Sequence, residues 1–344
     1  MADSAIPVID LCQPSPETAQ QVLSAASTHG FLFIKNDGIT IPPADIDAMF
    51  TLSKQFFSSA VSHKQQFAIH TPSAGGINRG WVRMSGEALD ASHSDPKEAF
   101  NIGPARPDLQ PLPHPLCDAQ ELILRFQQSC HRLCLSILTL LGTALQMPDE
   151  SYFAARHDQT KGPSGTIFRL LYYPPSTTTD ARSTQAMNDQ VHVRAGPHSD
   201  YGSLTLLFRL PGQPGLQLLT PSNAWVDVPV CPLHYHHDSP SEPPPILVNI
   251  GDLLCYWTAG LLKSTIHRVT FSGGEERLSM AYFCHPLDDA VLQRVPGRVM
   301  DEWGDQGRDE LERQCERLGL GRDDKAEITA KEHLDRRLRV TYGL

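Results

Sequence analysis

Gly196-Pro197-His198-Ser199-Asp200-Tyr201-Gly202-Ser203-Leu204-Thr205-Leu206-Leu207-Phe208 sets an imidazole and a carboxylate two residues apart, just ahead of an alternating apolar run. Read as strand, positions i and i+2 point to one face. A metal would then find two neighbouring ligands on one rigid element. The pattern His-x-Asp also occurs at His93–Asp95 and His236–Asp238. His93–Asp95 falls in a Gly-, Pro- and Ser-rich stretch spanning residues 70–118, and His236–Asp238 opens into Ser239-Pro240-Ser241-Glu242-Pro243-Pro244-Pro245. Neither leads into a strand. A third ligand is expected from another strand, and Ser264-Thr265-Ile266-His267-Arg268-Val269 supplies His267. Two imidazoles and one carboxylate on a single face of an octahedron leave three positions open, the facial arrangement of non-haem Fe(II) oxygenases. Zinc more often sits in a closed four-coordinate site.

Ten residues beyond His267, Arg277 and Ser279 share a strand face in Arg277-Leu278-Ser279-Met280-Ala281-Tyr282-Phe283. A guanidinium beside a hydroxyl is a receptor for a carboxylate. In Ile167-Phe168-Arg169-Leu170-Leu171-Tyr172-Tyr173, the residues Arg169, Leu171 and Tyr173 share a face, and Tyr173 can add a phenol to the same receptor. An open metal beside an anion receptor suits a keto acid that chelates at one end and is anchored at the other, as 2-oxoglutarate does. Strand parity puts Phe283 on the face of Arg277 and Ser279, and Tyr201 directly follows a ligand. Tyr201, Phe283 and Arg169 are therefore the candidate substrate contacts. Asn78, Trp81 and Phe100 in the long loop are weaker ones, and His192 and Arg194 just precede the metal stretch.

The 344 residues, about 40% apolar, are enough to bury a large core, and the formal charge of −10 argues against a nucleic-acid partner. Eight scattered cysteines without a paired Cys-x-x-Cys indicate a reducing, cytoplasmic setting. No apolar run is long enough to span a membrane, and the first residues lack the pattern of a signal peptide. Helices are expected at 17–29, ending at Gly30, at 44–57 and at 118–145, with a last one through Arg339 started by a Thr329/Glu332 capping box. Short strands and turns fill 166–290, including Ser203 to Phe208 and Leu253 to Trp257. The fold class expected is α+β with a mainly β core, a double-stranded β-helix (jelly roll, cupin-like) flanked by N- and C-terminal helices. Three regions follow: 1–150 with the covering loop, 151–295 as the core and 296–344 as a helical segment on it.

The sequence resembles the isopenicillin N synthase-like branch of Fe(II)/2-oxoglutarate dioxygenases, through Pro7-Val8-Ile9-Asp10, His29-Gly30-Phe31-Leu32, Tyr173-Pro174, His198-Ser199-Asp200, His267-Arg268-Val269 and Arg277-Leu278-Ser279. Within that branch it is most similar to fungal members of the thymine 7-hydroxylase type, through Arg169-Leu170-Leu171, Val193-Arg194-Ala195-Gly196, the run from Tyr201 to Phe208, Lys263-Ser264-Thr265 and Ala281-Tyr282-Phe283-Cys284. Where many plant members carry Asn two positions before the tyrosine, this chain has Leu171. The resemblance implies iron on His198, Asp200 and His267 and 2-oxoglutarate on Arg277, Ser279 and Tyr173. It also implies a cycle using O2, with ascorbate as reductant in vitro. Decarboxylation to succinate and CO2 yields a ferryl-oxo group that hydroxylates, desaturates or rearranges a small, aromatic or heterocyclic substrate. Two alternatives stand beside this: a same-fold oxidase whose Arg277 and Ser279 hold the substrate's own carboxylate, and a non-catalytic binder on the same scaffold. A monomer or weak homodimer with no nucleic-acid or membrane partner is expected.

Overall fold

The chain begins by alternating strand and helix, then turns almost wholly to strand, and ends in helix. The computed structural model describes residues 6–87, 89, 95–106, 110–175, 193–232, 235, 243–271, 275–317 and 328–343. The first part comprises β1 (Val8–Ile9), α1 (Pro16–Thr28), β2 (Phe31–Ile34), α2 (Pro43–Phe57), α3 (Val61–Lys64), β3 (Gly80–Val82), β4 (Glu98–Ile102), α4 (Gln120–Ala144) and α5 (Tyr152–Arg156). The middle comprises β5 (Ile167–Tyr173), β6 (Val193–His198), β7 (Leu204–Arg209), β8 (Leu216–Leu219), β9 (Trp225–Asp227), β10 (Ile246–Ile250), α6 (Asp252–Trp257), β11 (His267–Thr270) and β12 (Arg277–Cys284). The tail carries β13 (Val291–Leu292), α7 (Arg298–Trp303), α8 (Arg308–Arg317), β14 (Ile328–Thr329) and α9 (Ala330–Tyr342).

Two sheets make the core, one ordered β1-β2-β10-β7-β12-β5-β4-β3 and the other β6-β11-β8-β9. All pairings are antiparallel except β1 with β2. Between the sheets lie Leu171, Tyr173 and Ala281 from the larger and Ala195 and Val269 from the smaller. This is the jelly-roll core expected from the strand pattern, though the sheets do not close into a barrel. Strands β1–β4 extend the larger sheet, so the N-terminal part shares a sheet with the core strands.

Helices α1, α2 and α4 cover the outer face of the larger sheet. In α4, Ile123, Phe126, Cys130, Leu133, Cys134, Ile137 and Leu141 recur at three- and four-residue spacing and are buried. Burying each large side chain of this kind contributes about 1.5–3 kcal/mol. Helix α1 starts at Ser15, whose hydroxyl accepts from the Thr18 amide at 3.2 Å. It stops before Gly30, at φ +69°, where a Cβ would lie 2.2 Å from the Lys263 carbonyl. A side chain there would push apart α1 and the segment that leads into β11.

Leu253 to Trp257, expected as a strand, is part of helix α6. A short buried apolar run carries no period that separates the two. The first amides of the helix decide it: Asp252 N–H donates to the Asp200 carbonyl (2.8 Å) and Leu253 N–H to the Gly202 carbonyl (3.1 Å). Among the described residues, no helix is long and apolar enough to cross a membrane.

Candidate active site

The turn 199–203 carries the chain from β6 in the smaller sheet to β7 in the larger one. His198 is the last residue of β6 and Asp200 lies in the turn, so the two do not share a strand face. Backbone packing bends the chain here. A Cβ on Gly251 would lie 2.2 Å from the Gly202 carbonyl, and one on Gly202 would lie 2.7 Å from the Cys284 carbonyl. Both glycines let three backbone segments meet at the site, and the Ser203 amide closes the turn onto the Cys284 carbonyl at 2.8 Å.

His198 pairs in register with His267, the first residue of β11. Their ring centroids are 4.3 Å apart. Each Nδ1–H is tied to a carbonyl, His198 to Gly196 (2.7 Å) and His267 to Thr265 (3.1 Å). That fixes both tautomers and leaves the Nε2 lone pairs facing Asp200 Oδ1, at 3.9 Å and 3.7 Å. Asp200 Oδ2 is occupied by the Thr205 hydroxyl (2.6 Å) and the Asn249 amide (2.7 Å). Thr205 and Asn249 are themselves register partners on β7 and β10. The three candidate ligand atoms lie within 4.8 Å of one another. Burial raises the Asp200 carboxyl, but the two imidazoles and these two hydrogen bonds outweigh it and hold it ionised below the usual range. Burial, with His267 alongside, pushes His198 far down, so it stays neutral. Two imidazoles and one carboxylate, each oriented through its other polar atom, fit a divalent cation.

This cluster opens into a cavity of about 120 Å³ between the two sheets. At its inner end Arg277 pairs in register with Tyr173. Its Cζ lies 5.1 Å from the Tyr173 ring centroid, Nη1 donates to Ser279 Oγ (3.3 Å), and Nε donates to the Pro214 carbonyl (3.1 Å). Among the described residues Arg277 has no carboxylate partner, and burial lowers its pKa against the opposing pull of Tyr173. A buried, uncompensated guanidinium of this kind suits a ligand carboxylate. Leu171, opposite Ser279, lines the same wall.

At the outer end the cavity meets Tyr201, Phe283 and Arg169, together with Leu334, Leu338 and Tyr342 of α9. The capping box starts α9 as expected, but the helix continues past Arg339 to Tyr342. Those extra residues make the closing contacts. Thr341 bonds the Tyr201 hydroxyl, and the Tyr342 hydroxyl donates to Glu87 Oε1 at 2.6 Å. Arg337 stacks its guanidinium 4.3 Å from the Tyr201 ring centroid. Arg169 is already engaged within the protein, donating to both carboxylate oxygens of Glu87 at 3.1 and 2.7 Å.

Of the loop candidates, Asn78 lines the cavity, whereas Trp81 and Phe100 belong to the core. Trp81 donates to Glu98 at 2.8 Å. Arg194 bonds the Pro174 carbonyl and lies over Phe271. His93, His192, His236 and Asp238 lie outside the described residues. Asp95 does contribute, though not as a ligand: its Oδ1 accepts from the Gly196 amide at 2.9 Å and its Oδ2 pairs with Lys97 at 2.5 Å. Sequence reasoning missed Thr205, Asn249, Glu87, Lys97 and the end of α9. A signal was present for one of them, since Lys97-Glu98 interrupts the approach to the buried strand β4.

Residues 164–286 match the model of the 2OG-Fe(II) oxygenase superfamily, and residues 6–122 match that of the non-haem dioxygenase N-terminal region. The proline hydroxylase buaE of Petromyces alliaceus is 31% identical over 80% of this chain and 83% of its own. This chain belongs to the 2OG-Fe(II) oxygenase superfamily. Oxygenases of this superfamily use Fe(II), 2-oxoglutarate and O2. The Schizosaccharomyces pombe protein UPF0676 C1494.01 is 30% identical across 100% of this chain and 94% of its own. Among solved oxygenases, the full-length thymine 7-hydroxylase of Neurospora crassa in complex with alpha-KG and 5-formyluracil superposes with a TM-score of 0.73 at 27% identity, covering 99% of this chain and 98% of that one.

Two further buried histidines of this oxygenase make its stability depend on pH. Burial lowers His285, which lines the cavity, to about 3, and His333 on α9 to about 4, each from 6.5. Among the described residues, neither ring nitrogen of His333 finds a hydrogen-bond partner. The unfolded chain protonates near 6.5 while the folded chain does not, so stability falls as pH drops from 6.5 toward 4. Each histidine contributes a slope of about 1.4 kcal/mol per pH unit. Urea unfolding of metal-free protein at several pH values should show this slope, flattened in His333→Leu. An unchanged slope in that variant would reject the assignment.

Proposed function

We propose that this oxygenase oxidises a small ring-bearing molecule, with iron held by His198, Asp200 and His267 and 2-oxoglutarate by Arg277, Ser279 and Tyr173. One observation carries the reading: three oriented ligand atoms and a buried guanidinium without a counter-ion open into the same cavity. When bound, iron and keto acid supply the oxidising power for attack on a C–H bond, with succinate and CO2 as co-products.

The chain's own residues do the rest. Thr205 and Asn249 keep Asp200 turned so that one oxygen faces the imidazoles. Phe31 stands edge-on to His267 at 5.6 Å and limits its ring to one orientation. Tyr201 and Phe283 offer aromatic walls for a flat substrate, and α9 excludes water from the outer end. The Neurospora thymine 7-hydroxylase complexes with thymine and 5-formyluracil support a ring of that size.

The test is succinate formation by the Fe(II)-loaded protein with 2-oxoglutarate, ascorbate and O2 across a panel of heterocycles. Stimulation above a His198→Ala control supports the reading. Activity equal to that control throughout would overturn it.

A further inference from the structure

The outer end of the cavity is built from charges that cancel. Glu87 is 4% exposed and Lys97 2% exposed, and both line the cavity with Arg169. Each Glu87 oxygen is filled. Oε1 accepts from Arg169 Nη1 (3.1 Å) and Tyr342 Oη (2.6 Å). Oε2 accepts from Arg169 Nη2 (2.7 Å) and pairs with Lys97 Nζ (3.0 Å). Lys97 Nζ also pairs with Asp95 Oδ2 at 2.5 Å. Two cations thus face two carboxylates, and the quartet carries no net charge.

At the inner end, once loaded, the two charges of Fe(II) and that of Arg277 match Asp200 and the two carboxylates of 2-oxoglutarate. Arg209, the register partner of Ser279, is a further buried cation there, but it donates to the Val228 and Pro229 carbonyls and does not line the cavity. His285, a further titratable side chain on the cavity wall, is neutral. Among the described residues that line the cavity no charge is then left unpaired, so an ion placed between the two ends would be desolvated without a partner on the wall, a burial that disfavours its binding strongly.

We infer that the oxygenase takes an uncharged substrate, and that Glu87 sets this selection by neutralising Arg169 and Lys97. The inference rests on the function proposed above and narrows its substrate class. It also reassigns Arg169. Arg169 faces the substrate end, but its charge is spent on Glu87, so it does not serve as a receptor for an anionic group. A ring amide, lactam or neutral nucleobase meets these terms. A ring carboxylate or amine does not.

Crystals of the protein loaded with Mn(II) and 2-oxoglutarate and soaked in sodium bromide test the inference without knowledge of the substrate. Bromide is located by its anomalous signal. The wild type should hold none in contact with Arg169 or Lys97. Glu87→Gln, which keeps the side-chain shape, or Glu87→Ala, which makes room, should gain one there. Bromide beside Arg169 or Lys97 in the wild type overturns the inference, and so does its absence from both folded variants. If neither variant folds, the wild-type crystal decides alone. The same maps show whether Mn(II) lies between His198, Asp200 and His267, so failure of the oxygenase reading is seen separately.

Discussion

His198→Ala is expected to abolish bound iron and, with it, 2-oxoglutarate turnover. His198 and His267 are register partners on two strands whose Nε2 atoms converge on one oxygen of Asp200. Removing either imidazole leaves two donors and an opening on the side of the pocket wall. A graded comparison makes the result specific. Asn249→Ala keeps all three donors but frees Asp200 Oδ2 from its 2.7 Å hydrogen bond. Loss of such an orienting partner costs about 10–100-fold in metal affinity, so His198→Ala should cost more than that. Iron stoichiometry and Mn(II) titration measure both. Retention of iron by His198→Ala would mean that the metal sits elsewhere. His93→Ala and His236→Ala should leave iron content unchanged.

The second large effect is expected from Arg277→Leu, which should remove 2-oxoglutarate binding while leaving the free protein as stable as before, or more so. Arg277 is 3% exposed and faces a phenol, a hydroxyl and a carbonyl rather than a carboxylate. The folded protein therefore keeps a desolvated cation that only the ligand compensates. Truncating one member of a buried charge pair costs about 2–5 kcal/mol, a factor of roughly 30 to a few thousand in affinity. The free protein loses an unfavourable buried charge by the same change. Calorimetry reads the first effect. Melting with and without 2-oxoglutarate reads the second, as a ligand-induced rise that vanishes in the variant. Unchanged 2-oxoglutarate affinity would remove Arg277 from the receptor, whereas no binding of 2-oxoglutarate by the wild type would favour an oxidase that works without the keto acid.

The inner half of the site was legible in the chain because its chemistry is concentrated in short local patterns. His198-x-Asp200, His267 ahead of an alternating run, and Arg277-x-Ser279 each read within a few residues, and strand parity placed Tyr173 and Phe283. The reading of His198 and Asp200 as one strand face failed because the turn that separates them is made by backbone contacts to Gly251 and Cys284, distant in sequence. The outer half was not legible. Glu87 and Asp95 sit in a stretch without periodicity, and nothing local says that they are buried. Ending the last helix at Arg339 also left out Thr341 and Tyr342, the two residues that reach the cavity wall and its edge.

By itself, then, the sequence determined the mainly β core and which residues stand as candidate ligands and candidate anion receptor, since each follows from residue identity and a period of two or 3.6. Tertiary structure decided how the two ends of the cavity differ in charge. Arg277 and Arg169 are both arginines set into neighbouring antiparallel strands; Ser279 two positions on marks Arg277, but nothing local says which guanidinium keeps its charge free. One meets a phenol and a carbonyl, the other a glutamate 82 residues away. In a low-dielectric interior the neighbour, not the residue type, decides whether a charge is available to a ligand.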